Sequence, residues 1–142
     1  MTPPVASTAL LLFVTDSQAR NYLVEFLEGQ EYSPQVVGTP NEALKALKNR
    51  EHATLFVDCQ TISIYGHGLY AKIKVACPGC RVVLLCDKSH HEHRDIVKEA
   101  MELGIYACLL APFAEWEVLA MVRHSQTPRP PGRRQARNKE KQ

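Results

Sequence analysis

The chain has no apolar run near the roughly 18 residues that carry a helix across a bilayer, so no membrane span is expected. No basic residue precedes the first apolar stretch, Leu10 to Val14. That stretch makes a poor signal peptide and reads as a first strand, which gives a cytoplasmic protein as the expectation. No glycine-rich phosphate loop follows it, because Thr15-Asp16-Ser17-Gln18 stands there. The five cysteines are an odd number without a disulfide-framework spacing. They read as reduced thiols inside a cell rather than as the staples of a secreted scaffold.

What is present is enough for one domain with its own core: 142 residues, 45% of them apolar. The net charge of +2 conceals an asymmetry. Six basic residues and one acid fall in 125–142, leaving 11 basic and 14 acidic residues before it. Pro128, Pro130, Pro131 and Gly132 sit among those arginines with almost no apolar neighbour, so the segment is expected to be a disordered basic tail. Residues 1–8 read as an N-terminal extension and 9–124 as the domain.

The central stretch is Ala53-Thr54-Leu55-Phe56-Val57-Asp58. Its length, its β-branched and aromatic content and the lack of a polar face suit a strand buried on both sides of a parallel sheet. Such sheets carry ligands at the carboxyl ends of their strands, where Asp58 would stand. The plainer alternative is an aspartate that only starts a turn. Strands are predicted at 9–14, 35–39, 53–58, 81–86 and 106–110. Helices are predicted after Asp16 or Ser17, after Pro40, over 69–76, around 96–103 and over 114–123. Residues 59–68 read as a loop with two glycines, and Pro78-Gly79 as a turn. Five βα units in alternation imply a doubly wound α/β domain: a parallel sheet with helices on both faces and right-handed crossovers.

This order, with its strand-end residues, resembles a response-regulator receiver domain, the CheY-like fold. The resemblance covers about 9–124. It is carried by Thr15-Asp16 ending strand one, Asp58 ending strand three, Gly66 eight residues later, and the run Gly104 to Phe113. It implies a five-stranded flavodoxin/CheY-like αβα sandwich with strand order 2-1-3-4-5. It also implies a signalling module rather than an enzyme; a flavodoxin-like enzyme is the weaker alternative. Asp58 takes the phosphoacceptor position. Asp16, Asp58 and the Gln60 carbonyl would be the Mg²⁺ ligands. Cys86 and Cys108 take the switch positions, and the Ala111–Pro112 bond corresponds to one that is cis in receivers. The fourth helix, strand five and fifth helix would form a partner or homodimer face that includes Tyr106, Trp116 and Met121.

The departures from the pattern concern chemistry. The family's lysine is Ala111, its strand-four hydroxyl is Cys86, and one strand-one acid is Thr15. A charge-assisted hydrogen bond is worth ~1.5–3 kcal/mol, and a thiol is only a weak donor. Two functional readings follow. In one, the domain is a pseudo-receiver of a two-component or phosphorelay pathway, acting by protein–protein contact with a kinase or an output protein. In the other, Asp58 is phosphorylated with Mg²⁺, and Lys88 substitutes for the absent lysine.

Cys77-Pro78-Gly79-Cys80 has redox or zinc spacing, and His90, His91 and His93 cluster. A six-residue strand separates the two groups by ~20 Å, too far for one zinc ion with ligands at ~2.0–2.3 Å. The CxxC turn reads as two small apolar side chains. The histidines read as a solvated helix start. A Cys86–Cys108 redox pair is the alternative role for the switch positions. The tail, lacking aromatics to stack on bases, is expected to meet anionic partners only non-specifically.

Overall fold

The computed structural model describes residues 9–87 and 91–126, with only the backbone described at 91, 92 and 124–126. The N-terminal extension, Lys88, His90 and the tail beyond 126 lie outside the described residues. In chain order the elements are β1 (Ala9–Phe13), α1 (Ser17–Gly29), β2 (Gln35–Val36), α2 (Pro40–Leu47), β3 (Ala53–Asp58) and α3 (Cys59–Tyr65). They continue as α4 (Gly68–Ala76), β4 (Cys80–Asp87), α5 (His91–Glu102), β5 (Ala107–Ala111) and α6 (Glu115–Gln126). The five strands form one parallel sheet in the order β2-β1-β3-β4-β5.

The sheet separates two cores because side chains alternate along each strand. Leu11, Phe13, Leu55, Val57, Val82 and Leu84 face α2 to α5. Leu10, Leu12, Phe56, Val83 and Leu85 face α1 and α6, whose Leu23, Leu27, Val118 and Val122 pack against them. A fully buried leucine is worth about 1.5–3 kcal/mol. Leu23 and Leu27, both with no exposed surface, therefore seat α1 firmly at the strand edge that carries Asp16.

Local signals explain the helix ends that matter for the site. The Asp16 side chain caps α1 by accepting the Gln18 N–H at 3.2 Å. Thr39 caps α2 by accepting the Glu42 N–H, and Pro40 takes the first helical position. Two expectations need correction. Residues 59–65 form a helix, not a loop: Asp58 caps it, Cys59, Thr61 and Ile62 are buried, and Gly66 ends it at φ 87°. The second strand spans two residues rather than five, at the exposed sheet edge.

Candidate functional site at the carboxyl edge of the sheet

Asp58 ends β3 with 7% of its surface exposed. Its carboxylate faces protein donors. Oδ1 accepts the Thr15 N–H and the Thr61 N–H, each at 3.1 Å. Oδ2 accepts the Asp16 N–H at 3.1 Å. The Thr61 hydroxyl lies 2.5 Å from Oδ1 and 2.7 Å from the Thr15 hydroxyl. Thr61 has one hydroxyl hydrogen, and the carboxylate is nearer than the Phe13 carbonyl at 3.2 Å. Thr61 thus donates to Asp58, and Thr15 donates to Thr61. Four donors from two segments converge on one carboxylate, tying the end of β1 and the start of α3 to the end of β3.

Asp58 and Asp16 line one cavity of about 520 Å³, shared with Gln60, Cys86, His93 and Ala111. No lysine or arginine is among its lining residues within the described chain. Asp16 is exposed at the rim. Gln60, whose carbonyl the family resemblance offers as an oxygen ligand, lies in the first turn of α3. A carbonyl there accepts the N–H four residues ahead. Ala111, at the position where the family resemblance puts a lysine, lines the cavity, and the Ala111–Pro112 peptide is cis.

The switch positions are not partners of one another. In the β4–β5 register Cys108 lies beside Leu84, and Cys86 lies beside Leu110. Cys86 is instead joined by a disulfide to Cys59, with the two Cα atoms 5.2 Å apart. The reason is register. Asp58 pairs with Leu85 across β3 and β4, so one residue further along the two chains Cys59 meets Cys86. Cys59 is fully buried and Cys86 is 4% exposed. Cys108 is a free thiol whose burial raises its pKa. A ring nitrogen of His93 lies within 4.8 Å of both bridged sulfurs, and its Nδ1 accepts the Asp87 N–H at 2.9 Å. The sequence reading missed Cys59. Its signal was adjacency to a strand-ending aspartate, visible only once the strand register is known.

At the opposite sheet edge, Cys77 and Cys80 are both buried free thiols. Burial raises both, pushing Cys80 up to about 12. A Cβ at Gly79 would stand 2.1 Å from the Glu51 carbonyl oxygen, so only glycine lets that turn close. On the α5–β5–α6 side, Trp116 is 69% exposed, and Leu110 and Tyr106 are exposed. The Arg81 guanidinium sits 4.8 Å above the Tyr106 ring. Phe113 and Met121 pack against the α1–α6 core instead.

No protein-family model and no curated protein sequence matches this chain. Solved structures do. The signal receiver domain of an HD domain-containing protein from Pseudomonas fluorescens Pf-5 superposes with a TM-score of 0.71 at 21% identity, covering 89% of this chain and 91% of that one. The N-terminal signal receiver domain of a two-component response regulator from Bacteroides fragilis gives 0.68 at 16% identity, covering 87% and 100%. The receiver domain of a sensor histidine kinase from Pseudomonas aeruginosa PAO1, with a magnesium ion in its active-site cleft, gives 0.68 at 16%, covering 84% and 97%. No described helix of the present chain is long and apolar enough to cross a membrane. Strand order, crossover pattern and these likenesses together identify the fold as that of the CheY-like receiver domain.

Proposed function

We propose that this domain is a receiver-type module of two-component signalling that acts by protein–protein contact and has given up phosphoryl chemistry at Asp58. The carrying observation is the donor set around that carboxylate. Thr15, Asp16 and Thr61 engage both of its oxygens, and three of the four donors crowd Oδ1. An aspartate nucleophile needs a free oxygen, a divalent cation and donors for the transferred phosphoryl group. Among the described residues, no lysine or arginine lines the cavity. Its remaining oxygens fit Mg²⁺ poorly: one exposed carboxylate on Asp16, a hydrogen-bonded one on Asp58, and a Gln60 carbonyl inside a helical turn. Mg²⁺ demands near-octahedral oxygen geometry.

Contact with a partner would fall to the α5–β5–α6 side, where Trp116 and Leu110 are among the exposed apolar side chains and Tyr106 is braced by Arg81. Tryptophan and tyrosine are over-represented among interface anchors. The test is incubation of the full chain with acetyl phosphate and Mg²⁺, followed by intact-mass and peptide mass spectrometry. The expected result is no hydroxylamine-labile phosphoryl group on Asp58. A stoichiometric acyl phosphate there would establish the alternative, a working receiver.

A further inference from the structure

We infer that Cys59 and Cys86 form a thiol–disulfide exchange site opening on the Asp58 cavity, whose reactants are small-molecule thiols and disulfides of the glutathione class. The two sulfurs are bonded, and the 5.2 Å Cα separation falls inside the range a disulfide spans without backbone movement. Both cysteines line the same cavity as Asp58, Asp87 and His93. The bridge therefore has a route to solvent, although its sulfurs are covered by the fold.

His93 supplies the second observation. Its ring approaches both sulfurs within 4.8 Å. Its Nδ1 accepts a backbone N–H, so the neutral ring carries its proton on Nε2. An Nε2–H directed at a sulfur would stabilise its thiolate, the exchanging species, by hydrogen bonding. The same tautomer argues against a metal here, since ligation through Nε2 would need the proton on Nδ1, which already faces a donor. Cys77 and Cys80, by contrast, are held neutral by burial.

The exchange is balanced as follows. A small thiolate attacks Sγ of Cys86, the less buried sulfur, and forms a mixed disulfide while Cys59 leaves as thiolate. A second small thiolate attacks the small molecule's sulfur in that mixed disulfide and releases Cys86 as thiolate. Two electrons pass from two small thiols to the protein, one small disulfide is formed, and the two protein thiolates take up protons. Oxidation is the reverse. The bridge ties the residue after Asp58 to the end of β4, so its state is felt at the start of α3 and in the cavity. The inference stands whether or not Asp58 accepts phosphate.

The experiment equilibrates the full chain in buffers of defined glutathione ratio, traps thiols with a maleimide and maps them by peptide mass spectrometry. The folded state is checked by amide spectra. A reversible 59–86 bridge is expected, with three thiols in the oxidised chain, five in the reduced one, and amide shifts concentrated at 58–63, 84–87 and 93–97. Cys59→Ser and Cys86→Ser should each abolish the transition. His93→Ala should slow bridge formation several-fold, and His52→Ala, at the far sheet edge, should not. Five thiols at every ratio would overturn the inference, as would a Cys86–Cys108 crosslink. So would one tightly held Zn²⁺ per reduced chain that is lost in both serine variants.

Discussion

The two cysteine pairs of this domain sit at opposite ends of β4 and are all buried, yet they differ in bonding and in access to the Asp58 cavity. Cys77 and Cys80 have the spacing that usually signals chemistry. They are close in sequence, yet they are free, buried and shifted toward the neutral thiol. Cys59 and Cys86 are 27 residues apart and form no motif, yet strand register brings them into a bond at the rim of the cavity. A CxxC turn gains reactivity when it opens a helix, where the dipole lowers a thiol pKa. This one ends at the first residue of a strand. Position on the sheet decides the outcome; spacing does not.

That contrast can be broken at either end. The largest effect should come from Gly79→Ala. Its Cβ would meet the Glu51 backbone oxygen and the His52 ring, and backbone cannot yield cheaply. A loss of about 3–5 kcal/mol in urea unfolding is expected. A loss below about 1 kcal/mol would mean that the turn is not closed as described. Next comes the bridge. Its 27-residue separation corresponds to on the order of 3–4 kcal/mol in the chain-entropy model, or a fall in Tm on the order of 10 °C on reduction. Cys59→Ser should unfold early and be indifferent to reductant; a reductant effect persisting in that variant would assign the stabilisation to another crosslink.

The smallest effect concerns pH. Burial raises the Cys80 thiol from its ordinary value to about 12. Above pH ~9 the unfolded chain ionises this thiol while the folded one holds its proton, so the unfolded state binds fewer protons. The thiol's contribution is fully present below pH ~9 and is lost as pH rises toward 12. Cys80→Ala should flatten that decline in denaturant titrations run between pH 8 and 11. An unchanged slope would show that Cys80 is not shielded.

The same contrast explains what could be read without coordinates. β1, β3, β4 and β5 were legible because each is an apolar run bounded by turn residues, and their alternation with helices implied the parallel sheet. The helix at 59–65 was legible in principle, from Asp58 as cap and Gly66 as stop, but two nearby glycines read as loop. The partner of Cys86 was not legible. Choosing between Cys59 and Cys108 needs the β3–β4 and β4–β5 registers, which differ in offset and leave no local trace. Asp58 could be placed at a strand end, but two of its donors come from Thr15 and Asp16, more than forty positions away. A carboxylate's engagement is a tertiary property.

The coupling of Asp58 to α3 has a practical consequence for genetics. Exchanging this aspartate for alanine, a direct way to ask whether a receiver signals through phosphate, would here also uncap a helix and leave the backbone amides of Thr15 and Asp16 without their acceptor. A cellular phenotype from such an allele would report a loosened scaffold as readily as a lost signal. A substitution at the exposed Trp116, which caps no helix, tests the signal without that loss.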